Sequence, residues 1–249
     1  MVSSFGPHFG EEAPLVGRFG SGTIFFTHCN LRCRYCQNYA ISQLGDGSAV
    51  TSDEVAGMML SLQAKGCHNI NLVSPTHVVT FILEALEVAA GKGLNIPLVY
   101  NTGGYDSLET IELLDGIVDI YMPDMKYSDA RIAEELSGIK NYPEENKAGV
   151  KAEHRQVGDL QTDADGVAQR GLLVRHLVLP NRLSGTEEVV RFLAEEISQD
   201  TYLNIMAQYH PCYQAFEIPQ LSRPITRQEF HEAVDLAHQH GLYRLDRKL

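Results

Sequence analysis

The sequence predicts an α/β fold in which strand-helix units curl into a partial (β/α)6 barrel of the TIM type. Short apolar segments alternate along the chain with longer segments whose apolar residues recur at helical spacing. This alternation favours a parallel sheet that is covered by helices and joined by right-handed crossovers. The 249 residues are enough for one large domain, and no repeat, low-complexity block or Pro/Gly-rich linker divides them. We therefore expect a single domain over residues 1–249.

The elements are predicted in chain order from the apolar pattern and from helix-capping residues. A lead-in of low periodicity, residues 1–20, precedes a barrel core, residues 21–220, and a C-terminal helix and tail, residues 221–249. Thr51 and Ser107 begin two helices, because a hydroxyl there accepts a hydrogen bond from a free N–H group of the first turn. Strands are expected at 23–26, 69–73, 97–100, 117–121, 172–179 and 202–206, with a last extended piece at 242–245. Helices are expected at 51–65, 78–90, 107–114, 130–136, 186–197 and 226–240, and another after 143 leads to a polar turn at 163–166.

The charge and hydropathy of the chain argue against two classes of partner. The formal net charge is -12, whereas a nucleic-acid-binding surface needs clustered Lys and Arg, so no nucleic acid is expected. No apolar run approaches the roughly eighteen residues of a membrane helix, and the N-terminus lacks the pattern of a signal peptide. These features predict a cytoplasmic protein without a membrane partner. In a reducing compartment the thiols remain available to bind a metal.

The most informative motif is a group of three cysteines directly after the first predicted strand of the core. Cys29, Cys33 and Cys36 have the spacing Cys-x3-Cys-x2-Cys. Thiolates select zinc, copper(I) or iron-sulfur clusters over magnesium or calcium. A structural zinc site is normally completed by a fourth Cys or His, usually in a second pair, and the sequence has no such pair. A zinc knuckle or a chance cluster is the plain alternative to a three-cysteine iron-sulfur site with one iron free.

This spacing, with Tyr35 just before the last cysteine, resembles the signature of the radical S-adenosylmethionine (SAM) superfamily. The flanking sequence from Gly20 to Tyr39 is similar to the pyruvate formate-lyase activating-enzyme-like branch of the PflX type. The resemblance implies a 4Fe-4S cluster on the three cysteines and SAM on the fourth iron. One electron then cleaves SAM, and a 5'-deoxyadenosyl radical abstracts a hydrogen atom. An external one-electron reductant of the flavodoxin or ferredoxin type is implied as a partner.

The first SAM-binding candidates lie in the cysteine loop and after the second strand of the core. In α/β barrels the site lies at the carboxyl ends of the strands. The resemblance implies that Tyr35 lies along the adenine, and Asn38 is a candidate by position alone. Activating enzymes carry a Gly-Gly-Glu type segment after the second strand, where this chain instead offers the hydroxyls of Ser74 and Thr76 for the SAM ammonium. His77 is either a packing residue at a helix start or a direct participant.

The next candidates follow the third and fourth strands. Asn101 and Thr102 resemble the Thr-Asn-Gly region of activating enzymes, and Asp124 and Lys126 resemble their Leu-Asp-Leu-Lys segment. The resemblance implies a monovalent cation bound by Asp124, Thr102 and the Met122 carbonyl. An amide stands at Asn101 where the family has an aspartate, which removes one charge from that site. The plain alternative is an ordinary ion pair between Asp124 and Lys126.

The last two strands contribute one candidate for cofactor binding and lead to the residues expected to face the substrate. Arg175 is read either as a SAM ligand, through its planar fork of donors, or as a structural partner of Asp124. Tyr209 and His210 match the Tyr-His segment that closes the activating-enzyme site, and are the expected substrate-side residues. Cys212 lies close enough to join them as a hydrogen-atom relay or a ligand, although a lone cysteine is more often inert.

These features lead to three functional hypotheses. The first is a radical SAM oxidoreductase that abstracts a hydrogen atom from a partner protein, as a glycyl-radical activating enzyme does. The second is radical SAM modification of a small molecule or a peptide. The third, from another class, is a non-enzymatic zinc or iron-sulfur binding module.

Overall fold

The structure is a computed structural model that describes residues 1–246, so positions 247–249 of the predicted tail lie outside the described residues. The strands are Val2–His8 (β1), Ser21–Phe26 (β2), Ile70–Val73 (β3), Leu98–Thr102 (β4), Ile120–Pro123 (β5), Gln161–Thr162 (β6), Ala168–Leu177 (β7) and Tyr202–Met206 (β8). The α-helices are Ala13–Val16 (α1), Tyr39–Ser42 (α2), Ser52–Ala64 (α3), Val79–Gly91 (α4), Leu108–Leu113 (α5), Ala130–Ser137 (α6), Tyr142–Val157 (α7), Thr186–Phe192 (α8) and Arg227–Gln239 (α9).

The sheet confirms the predicted α/β class with mostly parallel strands. The strands β2, β3, β4, β5, β7 and β8 pair in parallel in this order. The strands β1 and β6 are antiparallel additions, on β2 and β7 respectively. These pairings describe an open sheet, and its closure into a partial barrel remains a prediction. Among residues 1–246, no helix has the length and apolar character needed to cross a membrane.

Alternate residues of the strands point to opposite faces of the sheet and build separate cores. Val99 and Ile120 pack with Leu15 of α1 on one face. Tyr100 and Tyr121 point the other way, into a core shared with helices α7 and α8. Both faces of these strands are therefore covered by packed apolar side chains.

Local capping explains why two of the helices begin where the sequence predicts. Thr51 and Glu54 form a reciprocal capping box at the start of α3. The Ser107 hydroxyl accepts a hydrogen bond from the Thr110 N–H at the start of α5. The helix predicted at 186–197 is α8 followed by a π-helical turn over Leu193–Ile197.

The N-terminal lead-in contains a strand that the sequence did not predict. Val2–His8 forms the antiparallel edge strand β1, paired with β2 from Val2–Phe26 to His8–Ser21. An edge strand tolerates Pro7, because one row of its N–H groups needs no partner in the sheet. The alternation in this segment is too weak to predict a strand, since most of its side chains are at least partly exposed.

His176 links β7 to α8 by hydrogen bonds, and its ionisation makes the free energy of unfolding depend on pH. Its Nδ1–H donates to the Met125 carbonyl at 2.6 Å, and its Nε2 accepts from the Thr186 hydroxyl at 2.9 Å. Burial lowers the pKa of His176 to about 4. In the unfolded chain its pKa is near 6.5, so between about pH 6.5 and pH 4 the unfolded state binds more protons. This contribution to stability is complete above pH 6.5 and is lost as the pH falls through that window.

We expect the free energy of unfolding to decrease by about 2 kcal/mol more between pH 7 and pH 5 in the wild type than in His176→Gln. Glutamine does not titrate, so the difference between the two proteins isolates the imidazole from other groups. Urea unfolding at the two pH values measures it. Equal pH dependence in both proteins would show that His176 is not the buried neutral group described here.

Candidate functional site

The carboxyl ends of the parallel strands surround a cavity of about 740 Å³. This volume falls within the roughly 300–1,000 Å³ of sites that bind small molecules and cofactors. The cavity lies where an α/β fold is expected to place its site. Many of the residues predicted from sequence line it, namely Cys29, Cys33, Cys36, Asn38, Ser74, Asn101, Thr102, Asp124, Lys126 and Arg175.

Each of the three cysteine sulfurs has a hydrogen-bond partner. The Leu31 N–H donates to Cys29 Sγ at 3.4 Å, and the Ser137 hydroxyl donates to Cys33 Sγ at 3.0 Å. The Ser42 hydroxyl lies 3.1 Å from Cys36 Sγ. Donors of this kind stabilise a thiolate and adjust the potential of a cluster that it holds.

The burial of the thiols sets their protonation. Burial raises the pKa of Cys33 to about 11 and that of Cys29 above its usual value, despite the opposing charge of Lys126. These thiols are therefore protonated without a metal, and a metal that bound them would displace the protons. Among residues 1–246, no three His, Cys, Asp or Glu side chains are placed to hold a single metal ion. An iron-sulfur cluster does not need its thiolates to converge on one ion, because each thiolate binds a different iron.

A chain of hydroxyls lies beneath the cysteine loop. The Tyr127 hydroxyl is 2.6 Å from the Tyr35 hydroxyl and 2.6 Å from that of Ser137, which contacts Cys33. Tyr35 is buried, and its ring packs edge-on against Tyr127 and Tyr209. Tyr35 is thus placed behind the cavity, where it helps to hold Ser137 against the cysteine.

A charged group lies beside the thiols. Arg175 donates through Nε to Asp124 Oδ1 at 2.8 Å and through Nη2 to Asn101 Oδ1 at 2.7 Å. Lys126 donates to Asp124 Oδ2 at 2.5 Å. Asp124 and Arg175 meet because they form a parallel bridge between the ends of β5 and β7. Both pairings that the sequence left open, Asp124 with Lys126 and Asp124 with Arg175, are therefore present.

The charges of this group reinforce one another. Burial works to raise the pKa of Asp124, but the charges of Arg175 and Lys126 outweigh it and hold that pKa below its usual value. Burial works to lower the pKa of Lys126, but the charge of Asp124 outweighs it and raises that pKa. The group therefore presents two cations and one anion beside the cavity, a net positive charge suited to a carboxylate.

Two of the three groups predicted to bind a monovalent cation, the side chains of Asp124 and Thr102, are already engaged. Asn101 Oδ1 and both oxygens of Asp124 accept from Arg175 and Lys126. The Thr102 hydroxyl donates to Asp106 at 2.5 Å and accepts from the Gly104 N–H at 3.2 Å. In this arrangement the residues do not fit a monovalent cation, and the nearby charges of Arg175 and Lys126 oppose one.

The loop after β3 sends only one of its three predicted residues into the cavity. Ser74 lines it with a φ of 57°, in the left-handed region that favours glycine. Thr76 lies 3.2 Å from the Thr102 hydroxyl, beside the buried Asp106. His77 donates through Nε2 to the Thr27 carbonyl at 2.8 Å, which ties this loop to the end of β2.

The predicted substrate-side residues occupy different surroundings. Tyr209 is buried, and its hydroxyl donates to the Leu221 carbonyl at 2.6 Å. His210 is exposed, with Nδ1 3.3 Å from the side-chain amide of Gln37, the residue after Cys36. Cys212 is partly exposed and does not line the cavity.

Glu12 and Asn204 are among the cavity residues that the sequence did not indicate. Glu12, at the start of α1, is buried and accepts from the Asn204 side chain at 2.8 Å. Asn204 pairs in register with Arg175 and points to the same face of the sheet. Its place between Leu203 and Ile205, as a polar residue in an alternating strand, was the available signal. Glu12 had no such signal, because its neighbours are irregular in pattern.

The fold and the site define an α/β protein whose strand ends bring three thiols and a cationic pair to one cavity. The family model of the radical SAM superfamily matches residues 23–159, so the chain belongs to that superfamily. Membership implies a 4Fe-4S cluster and SAM, and the residues described above fit both. The region matched ends within the loop after α7.

Three further proteins are similar to this chain. An uncharacterized protein of Methanocaldococcus jannaschii is 32% identical over 244 residues, which cover 94% of this chain and 66% of the relative. A radical SAM methyltransferase from Sphaerobacter thermophilus has a TM-score of 0.59 at 14% identity, covering 90% of this chain and 66% of that one. SuiB of Streptococcus suis, bound to SAM, has a TM-score of 0.60 at 15% identity, covering 89% of this chain and 48% of that one. SuiB has also been crystallised with its precursor peptide SuiA. The chain thus spans less than two thirds of each of these proteins.

Proposed function

We propose that the protein is a radical SAM enzyme that cleaves SAM reductively and abstracts a hydrogen atom from a protein or peptide. The observation that carries this proposal is the shared cavity, which is lined by the three motif cysteines and by Arg175 and Lys126. The thiols suit an iron-sulfur cluster, and the two cations suit the carboxylate of SAM. The superfamily match supports the same chemistry.

The residues divide into those that would hold the cluster and those that would hold SAM. Cys29, Cys33 and Cys36 would ligate the cluster. Arg175 and Lys126 would bind the carboxylate of SAM, with Asp124 fixing their positions. When bound and reduced by an external one-electron donor, a 4Fe-4S cluster supplies the electron that splits SAM into methionine and a 5'-deoxyadenosyl radical. The surrounding chain would orient both ligands.

The finer assignment is an activating-enzyme-like action on a partner protein, as the resemblance to the PflX-type branch suggests. Modification of a peptide is the second candidate, and the SuiB complex with its precursor peptide favours it. His210 is the substrate-side residue best placed for either, since Gln37 joins it to the cysteine loop and its imidazole is exposed.

Anaerobic reconstitution of the cluster, followed by dithionite and SAM, tests the proposed function. We expect 5'-deoxyadenosine from the wild type and none from Cys36→Ala. Absorption near about 400 nm distinguishes a thiolate-bound cluster from a zinc module. A wild-type protein that assembles the cluster but fails to bind SAM in a direct titration would contradict the proposal.

For His210→Ala we expect cluster assembly and 5'-deoxyadenosine formation close to wild type, with slower conversion of the substrate once one is found. The reason is that His210 touches neither the thiols nor the Arg175 group. Loss of SAM binding in this variant, measured by titration, would place His210 on the cofactor side instead.

A further inference from the structure

The floor of the cavity contains two carboxylate oxygens that lack partners. Within residues 1–246, Glu12 Oε2 and Asp246 Oδ2 are buried and accept no hydrogen bond. Both residues line the same cavity as the thiols. Glu12 is 4% exposed. A buried carboxylate oxygen without a donor is unfavourable, so it is normally paired with a cation or a hydrogen-bond donor.

The other oxygen of each carboxylate is held firmly. Asn204 donates to Glu12 Oε1 at 2.8 Å. The Tyr202 hydroxyl donates to Asp246 Oδ1 at 2.8 Å, and the Ala13 N–H donates to the same atom at 3.2 Å. These contacts fix the orientation of both side chains, and they leave Oε2 of Glu12 and Oδ2 of Asp246 for a ligand.

The neighbouring cation does not supply the missing donor. Burial raises the pKa of Glu12, and the charge of Arg175 opposes this shift without reversing it; the described hydrogen bonds of Arg175 go to Asp124 and Asn101. Moving the guanidinium onto Glu12 would leave Asp124 with one of its two partners. Within residues 1–246, the floor therefore lacks a donor for these oxygens.

The charges around the cavity point to a cationic ligand. Among the described residues that line it, Glu12 and Asp246 carry the partnerless oxygens, whereas the two side chains that are always cationic, Lys126 and Arg175, are hydrogen-bonded to Asp124. A positive group of the ligand would meet both partnerless oxygens.

We infer that Glu12 and Asp246 form a recess that binds a primary ammonium group of the substrate, such as a lysine side chain or an alkyl amine. An ammonium offers three donors to carboxylate oxygens and matches their charge. The recess lies in the cavity that the motif thiols also line, so a substrate fixed there would share that cavity with the cluster and SAM. Naming this ligand as the substrate rests on the proposed function, whereas the recess itself rests only on the geometry.

Two matched probes test the recess, Nα-acetyl-lysine methylamide and Nα-acetyl-norleucine methylamide. They have the same alkyl chain, and only the first carries the ammonium. We expect calorimetric titration of the full-length reconstituted protein, with SAM present, to show at least about tenfold tighter binding of the lysine probe. That preference should disappear in Glu12→Gln, which keeps the shape of the side chain and removes its charge, and should weaken in Asp246→Asn.

Glu153→Gln is the matched control. Glu153 is also a buried carboxylate with a partnerless Oε2, but it does not line the cavity, so the probe preference should be unchanged. Equal binding of the two probes, binding of neither, or an unaltered preference in Glu12→Gln would overturn the inference. Failure of the proposed function would be seen separately, as absence of SAM binding and of 5'-deoxyadenosine in the same preparation.

Discussion

Replacing Cys33 by alanine is expected to abolish assembly of the iron-sulfur cluster and all SAM cleavage. Cys33 is 8% exposed, and its sulfur is held by the Ser137 hydroxyl at 3.0 Å, so a water molecule or another side chain cannot easily take its place. Two thiolates would remain where three are needed to hold the cluster. Iron and acid-labile sulfide analysis, absorption near about 400 nm and a 5'-deoxyadenosine assay measure the loss.

Cys67→Ala is the control for this variant. Cys67 is also a buried cysteine, but it packs in the core formed by α3, α4 and the strands β2 and β3, away from the cavity. We expect it to assemble the cluster normally. A Cys33→Ala protein with a full complement of iron and sulfide would refute the ligand assignment.

Replacing Asp124 by alanine is expected to lower the free energy of unfolding by about 3–5 kcal/mol and to prevent SAM binding. Asp124 is the anion between the side chains of Arg175 and Lys126, at 2.8 Å and 2.5 Å. Without it, two partly buried cations would face each other with no carboxylate between them. Chemical denaturation of the cluster-free protein and a SAM titration of the reconstituted protein measure the two effects.

Two further variants separate charge from surface effects. Asp124→Asn keeps an acceptor for Arg175 and should lose less stability than the alanine variant. Glu217→Ala breaks an exposed ion pair with Arg34, at 3.2 Å, and should change stability little. If Asp124→Ala were as stable as Glu217→Ala, the buried group would not depend on its carboxylate.

The cysteine site was predictable because its residues are close in sequence. Cys29, Cys33 and Cys36 belong to one loop after β2, so their spacing alone brings the thiols to the same strand end. The capped starts of α3 and α5 were predictable for the same reason, since a capping hydroxyl contacts an N–H group three residues away. Edge strand β1 was not predictable from the sequence, because its side chains are partly exposed on both faces and its apolar residues therefore do not alternate clearly.

The sequence places the remaining site residues at strand ends, but it does not predict which residues they contact. Arg175 and Asp124 are 51 positions apart in the sequence. Whether Arg175 contacts Asp124 or SAM depends on the register of β7 against β5. Tyr35 is a related case. Its position in the motif indicated the cavity, yet its ring packs behind the loop, because Tyr127 and Ser137 offer buried hydroxyl partners there.

The sequence by itself determined the parallel α/β class, the three-cysteine motif and the superfamily, because each depends on local periodicity or on the spacing of nearby residues. Only the tertiary structure decided how the charges combine. It joined Glu12 to Asn204 across 192 positions, and it committed Asp124 and Asn101 to Arg175. Such contacts depend on strand register and on which distant segments pack against the sheet. A local pattern of residues predicts neither property.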